Sequence, residues 1–337
     1  MSGRPSEPAV TAPALPGRLL PGTPVAIALD LGGTHLKGGL VGPGGAHAHL
    51  QARDTRAAEG YASVLEGLVA LAAELRALAE GEGLSVAGIG IGAPGPLDRA
   101  RGVVEFAPNL GWHEVPLRDD MARCTGIERV RLENDANAAT FAEAWVGQSS
   151  GARCLLGLTL GTGIGGGLVI GGRLFAGAHG LAGELGHVVV DPRGRACRCG
   201  GRGCLEAHFS GWALVEGYRE RTRAGRPGAV HLDDLSPEDV FEAWSRGDPD
   251  AAAVVDEGLD AFGRALAGAV NLLNPDRIVL FGGLAGSWDL FGPPLLERVR
   301  RLALQPSFEA VRFHASRLAW AGVLGAGGLL LSESADL

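Results

Sequence analysis

Residues 25–41 read VAIALDLGGTHLKGGLV, and residues 154–175 read CLLGLTLGTGIGGGLVIGGRLF. Each is an apolar run, a turn of glycine and threonine, and a second apolar run. That is the pattern of two strands joined by a glycine-rich bend. It occurs once in each half of the chain, so two similar halves facing a cleft are the simplest account. Between and after these runs, residues 59–82 set Val64, Leu65, Leu68, Leu71, Leu75 and Leu78 at helical spacing. GLSVAGIGIGAPGPLD (83–98) reads as a buried strand stopped by a Pro/Gly turn. VRLENDANAATFAEAW (130–145) reads as a strand tip running into a helix, with Asn134 and Asp135 at the junction. Residues 250–273 predict a long Ala-rich helix, RIVLFGGLAG (277–286) a strand entering a glycine turn, and 318–334 a last helix. Strands alternating with helices predict an α/β architecture. The expected division is a Pro-rich disordered tail (1–24), a first α/β domain (25–140) and a second (141–317). The final helix, about 318–337, returns to the first domain.

The chain has 337 residues and a formal net charge of -8. That balance disfavours nucleic acid or an anionic membrane surface as the main partner. No run of about 18 apolar residues predicts a membrane span. Residues 1–24 lack the basic and apolar regions of a signal peptide. Five cysteines, an odd count, fit a reducing cytosol with metal-bound or buried thiols. A cytoplasmic protein is the expectation.

Phosphate-binding templates sort the glycine turns. The chain's single lysine, Lys37, follows Leu36, so a Gly-Lys-Ser/Thr loop is excluded. Gly161-Thr-Gly163-Ile-Gly-Gly166 matches G-x-G-x-x-G in form, but it opens into a strand-like run. A dinucleotide loop must open into a helix. Gly88-Ile-Gly90-Ile-Gly-Ala93 fails likewise, because Pro94-Gly-Pro96 follows. Consecutive backbone N–H groups in a glycine bend still form an anion nest. Thr34 and Thr162 each add a hydroxyl beside such a nest. Asp30 ends the first strand, where it could orient hydrated Mg²⁺ on phosphates. Two matched bends predict a split nucleotide site.

The stretch 187–206, HVVVDPRGRACRCGGRGCLE, carries the most specific signal. Three thiols (Cys197, Cys199, Cys204) and one imidazole (His187) are the donor set of a closed tetrahedral zinc site. A disulfide would use only two of the three thiols. With every ligand position filled by protein, such a zinc is structural and does not activate water. Cys124 and Cys154 stand apart and read as ordinary buried residues.

Together these segments resemble the ROK family of sugar kinases and repressors, within the two-domain actin/hexokinase-like ATPase fold. That fold duplicates a ribonuclease H-like motif around a cleft. Asp30-Leu-Gly-Gly-Thr34 resembles the first phosphate motif and Gly161-Thr-Gly-Ile-Gly-Gly-Gly167 the second. Phe281-Gly-Gly-Leu284 resembles the adenosine motif. Glu184-Leu-Gly-His187 with Cys197 to Glu206 resembles the sugar and zinc signature. The resemblance implies ATP contacts at Asp30, Gly32, Gly33, Thr34, Lys37, Gly161, Thr162, Gly163, Gly165, Gly166, Gly282 and Gly283. It implies sugar contacts at Gly92, Asn109, Asn134, Asp135, Glu184, His187 and Glu206. It also implies structural Zn²⁺ and Mg²⁺ with ATP. Sequence alone leaves Asp135 equally suited to capping the following helix; the resemblance makes it the general base. His35-Leu-Lys37 departs from the lysine followed by small residues that relatives often carry after the first loop.

The implied activity is ATP-dependent phosphorylation of a hexose at its 6-hydroxyl, glucose first. Kinases of N-acetylhexosamine, mannose, fructose or allose are alternatives. A sugar-responsive regulator is disfavoured, because 24 residues ahead of Val25 are too few for a helix-turn-helix domain. Polyphosphate is a weaker donor candidate than ATP. A homo-oligomer, dimer or tetramer, is implied by the family.

Overall fold

The computed structural model describes residues 17–225 and 234–332. The first lobe holds β1 (Pro24–Leu31), β2 (His35–Val41), β3 (His47–Asp54), α1 (Tyr61–Gly81), β4 (Ser85–Ala93), β5 (Leu97–Asp98), β6 (Val103–Ala107), β7 (Trp112–Val115), α2 (Leu117–Thr125), β8 (Val130–Asn134) and α3 (Asp135–Val146). The second holds β9 (Cys154–Leu160), β10 (Ile164–Ile170), β11 (Arg173–Leu174), α4 (Glu206–Phe209), α5 (Gly211–Gly225), α6 (Pro237–Ser245), α7 (Pro249–Leu273), β12 (Arg277–Phe281), α8 (Trp288–Leu302), α9 (Gln305–Ala310) and β13 (Arg312–Ala315). Helix α10 (Ala321–Leu331) ends the described chain.

The two glycine-rich runs are hairpins, β1–β2 and β9–β10, and each seeds a five-stranded sheet. The orders are β3-β2-β1-β4-β8 and β11-β10-β9-β12-β13. In both, three antiparallel strands come first. Two parallel strands then join the other side of the opening strand. One motif is therefore used twice, and the fold is of the actin/hexokinase-like ATPase type. Strand β1 lies mid-sheet, so Val25 to Leu29 are all buried, as a continuous apolar run requires. Helix α1 covers that sheet with Val64, Leu68, Leu71, Ala72 and Leu75.

Helices α3 and α10 pack on each other; α3 also packs on β9 and β10, and α10 on β1 and β4. The approach is close enough that a Cβ on Gly325 would collide with the Ala138 carbonyl. A Cβ on Gly90 would likewise strike the Ala326 carbonyl. Glycine is needed there for proximity, since any side chain would force the layers apart.

Two expectations change. Residues 17–23 are held, although they read as tail: Leu19 packs on the first core, and Gly22 N–H donates to the Gly83 carbonyl at 2.7 Å. Residues 1–16, the rest of the expected tail, lie outside the described residues, as do 333–337 of the expected last helix. The antiparallel ribbon β5-β6-β7 was not anticipated, because its strands are short and interrupted by turns. No described helix is long and apolar enough to cross a membrane.

Candidate active site

The β8–α3 junction decides what Asp135 is free to do. The capping position belongs to Asn134, whose Oδ1 accepts from Asn137 N–H at 3.1 Å. Its Nδ2 donates to the Gly95 carbonyl at 3.3 Å, so one N–H and one lone pair remain for a ligand. Beneath it, buried Glu133 accepts from Arg99 at 2.6 Å, Asn134 N–H at 2.9 Å and Asn137 Nδ2 at 3.0 Å. Asp135 thus starts α3 without having to cap it. Its Oδ1 accepts from Ala136 N–H at 2.8 Å. Burial raises its pKa most, and the carboxylates of Asp30 and Glu184 add to this; the nearby backbone N–H groups oppose it. The result is about 7. The residue keeps partial solvent access, as expected on the floor of a cleft. A carboxylate titrating near neutrality suits a general base.

The same interactions tie together groups from four segments. Gly92, at the end of β4, faces the Asp135 Cα and the Asp30 carboxylate. Asp30 pairs with Lys37 across the β1–β2 ladder. Burial raises the Asp30 pKa and the Lys37 charge opposes the rise. Glu184 is raised by burial, with His187 lowering it and Glu206 raising it. A neutralising cation or proton is favoured where so many carboxylates meet.

The first glycine bend, 31–34, has a brace that sequence reasoning missed. Thr55, buried just after β3, donates its hydroxyl to the Gly32 carbonyl at 2.7 Å. Its own N–H donates to the Thr34 carbonyl at 2.9 Å. Nothing local in Asp54-Thr-Arg56 marks this role; it exists only once β3 lies beside β2. Asn109 lies against Gly33, and both line a cavity of about 660 Å³ with Thr34, Asp54 and Arg56. Thr55→Val strips the bond to Gly32, which costs about 1–3 kcal/mol of local order. It should raise the KM for nucleotide roughly 5–10-fold with sugar KM little changed, and Thr55→Ser should restore it. Equal nucleotide KM in Thr55→Val and wild type would remove the brace.

The second bend, 160–164, closes with Gly161 N–H donating to Gly163 O at 3.0 Å. Gly165 N–H donates to Thr159 Oγ1 at 3.1 Å. Gly282, past the end of β12, lies against Leu160 with a left-handed φ of 86°, and Gly283 follows. The predicted adenosine residues therefore flank the second bend.

Around residues 187–204, Val189 pairs with Cys204 and Ala196 with Arg202, making a small knuckle. The ligand atoms of His187, Cys197, Cys199 and Cys204 lie within 4.8 Å of one another. Cys199 and Cys204 sulfurs are 3.7 Å apart, and Cys197 Sγ is 3.9 Å from His187 Nδ1. A disulfide needs about 2.05 Å. A tetrahedron with metal–sulfur bonds of about 2.3 Å has sulfur–sulfur edges of about 3.8 Å. Burial pushes the Cys197 and Cys204 thiols up, while the Gly201 N–H pulls Cys199 down. Such a cluster ionises fully only around a cation.

Asp30, Gly92, Asp135, Glu184, His187, Glu206 and the 160–164 bend are thus linked to one another by contact or charge, and Asn109 meets Gly33 of the first bend. Residues 26–333 match the ROK family. The chain belongs to the ROK family. It is 39% identical over 312 residues to the glucokinase of Thermotoga maritima, covering 90% of this chain and 96% of that one. Among solved structures, the ROK hexokinase from Thermus thermophilus aligns with a TM-score of 0.77 at 38% identity. That match covers 90% of this chain and 96% of the hexokinase. A ROK glucokinase from Streptomyces griseus, solved with glucose and AMPPNP, aligns with a TM-score of 0.76 at 32% identity. It covers 90% of this chain and 98% of that one.

Proposed function

We propose that this protein is an ATP-dependent glucokinase that phosphorylates the 6-hydroxyl of glucose. The observation that carries the reading is Asp135, set at a helix start beside Asp30 and Glu184 and titrating at about 7. A sugar hydroxyl attacks poorly until its proton has somewhere to go. Asp135 accepts that proton as the 6-oxygen bonds to the γ-phosphorus, and the bond from phosphorus to the β-bridging oxygen breaks, releasing ADP. The bends at 31–34 and 160–164 hold the phosphates through backbone N–H groups and the hydroxyls of Thr34 and Thr162. Gly282 and Gly283 flank the adenosine. Asn109, Asn134, Glu184, His187 and Glu206 hold the ring hydroxyls, with the Gly92 backbone behind them. Asp30 offers a hard oxygen that would hold Mg²⁺ of ATP through water, and the ion would supply charge neutralisation for the phosphates.

Zn²⁺ fits the three sulfurs and one imidazole at tetrahedral spacing and supplies structural cross-linking of the knuckle. His187, holding it through one ring nitrogen, would present the other toward the sugar. A homo-oligomer in the cytoplasm, dimer or tetramer, belongs to the same proposal. ADP release measured across glucose, mannose, fructose, allose and N-acetylhexosamines, with ATP and polyphosphate as donors, tests the assignment. Glucose with ATP should give the highest kcat/KM. Turnover with none of these sugars would overturn it.

A further inference from the structure

Glu206 stands in the sugar set, yet its carboxylate is already committed to the opposite ligand's loop. Its Oε2 accepts from Ile164 N–H at 2.9 Å. The same carboxylate lies over Gly163, where any Cβ would strike it. Its Oε1 stands 3.8 Å from Cys197 Sγ, and its charge is felt at Glu184. Neighbouring residues repeat the grip. Gly211 N–H donates to the Gly161 carbonyl at 2.9 Å. Gly186, one residue before His187, fits under the Ile164 carbonyl with no room for a side chain.

We infer that Glu206 is a positioning residue for nucleotide, clamping the 160–164 bend through Ile164 N–H while its other oxygen serves the sugar. This rests on the proposed use of that bend for phosphate. The clamp fixes which N–H groups of the bend remain free for phosphate, because Ile164 N–H is turned away to Glu206. Sugar bound at Oε1 would stiffen the clamp, so the two substrates would favour each other's binding through one carboxylate.

The test is titration of AMPPNP with Mg²⁺ in the absence of sugar, on the full chain with its metal content measured. Glu206→Ala should weaken AMPPNP about tenfold. Glu206→Gln keeps an acceptor for Ile164 N–H, so it should stay within about threefold of wild type. Metal content and Tm should match wild type in both variants. A residue that only touched sugar would leave nucleotide affinity unmoved, and a change under twofold in Glu206→Ala overturns the inference. Weakening that appears only with lost metal or a lowered Tm overturns it as well. Gly163→Ala separates the two layers of the argument. If it leaves AMPPNP affinity unchanged, the bend is not a nucleotide loop and the underlying reading falls. If it weakens AMPPNP while Glu206→Ala does not, only the clamp falls.

Discussion

Asp135→Asn should lower turnover by on the order of 10²–10⁴-fold, with the glucose dissociation constant changed only a few-fold. An amide keeps the size and most hydrogen bonds of the carboxyl but cannot take the 6-hydroxyl proton. In wild type, kcat/KM for glucose should rise with pH along a limb centred near 7, where Asp135 loses its proton. Stability should move the other way. The folded-state pKa lies above the ordinary value of 3.8, so the fold prefers Asp135 protonated. That contribution is complete below about pH 4 and is lost as pH rises through about 7. Asp135→Asn, which mimics the protonated form, should therefore melt higher than wild type at pH 8 and converge with it at low pH. Full turnover in the variant, or equal melting curves at pH 8, would remove Asp135 as the strained base.

Loss of the metal knuckle should have the other large effect. Cys204 is buried and pairs through its backbone with Val189, so Cys204→Ser removes a sulfur that the loop has already aimed inward. On the proposed zinc site, wild type should carry one ion per chain and the variant close to none. Structural zinc contributes on the order of 10 kcal/mol in small domains, and the knuckle is stitched to the second core through α4. A Tm drop on the order of 5 °C or more should follow, with glucose KM raised at least tenfold as His187 and Glu184 lose their mooring. Metal analysis, calorimetry and sugar kinetics on one preparation settle the matter. A zinc-free variant that melts and phosphorylates like wild type would end the structural role.

The duplicated hairpins were legible from sequence because a central strand flanked by glycine leaves an unbroken apolar run with a sharp stop. The clustering of His187, Cys197, Cys199 and Cys204 was legible because close-spaced thiols are rare and chemically specific. Asp135 was not decidable locally: capping and base catalysis use the same residue type at the same place. The resemblance favoured the base, and the structure adds that Asn134, not Asp135, holds the cap. Thr55 and the Ile164 contact of Glu206 were hidden for a different reason. Each joins segments more than twenty residues apart, and no spacing rule reaches that far. The ribbon β5-β6-β7 escaped because strands of two to five residues carry too little periodicity to register.

Helix α10 lies at the far end of the chain yet completes the core begun by β1. Ala28, Val41 and Ala142 share one buried cluster with Val323 and Leu324. During translation, then, the opening sheet must wait with that face uncovered while nearly three hundred further residues leave the ribosome. Leu329 of the same helix also joins Leu155, Val169, Leu174, Val279 and Phe281 in the second sheet's cluster, so both lobes are completed by this last helix. A nascent chain halted before residue 321 would therefore present a face of both sheets to chaperones.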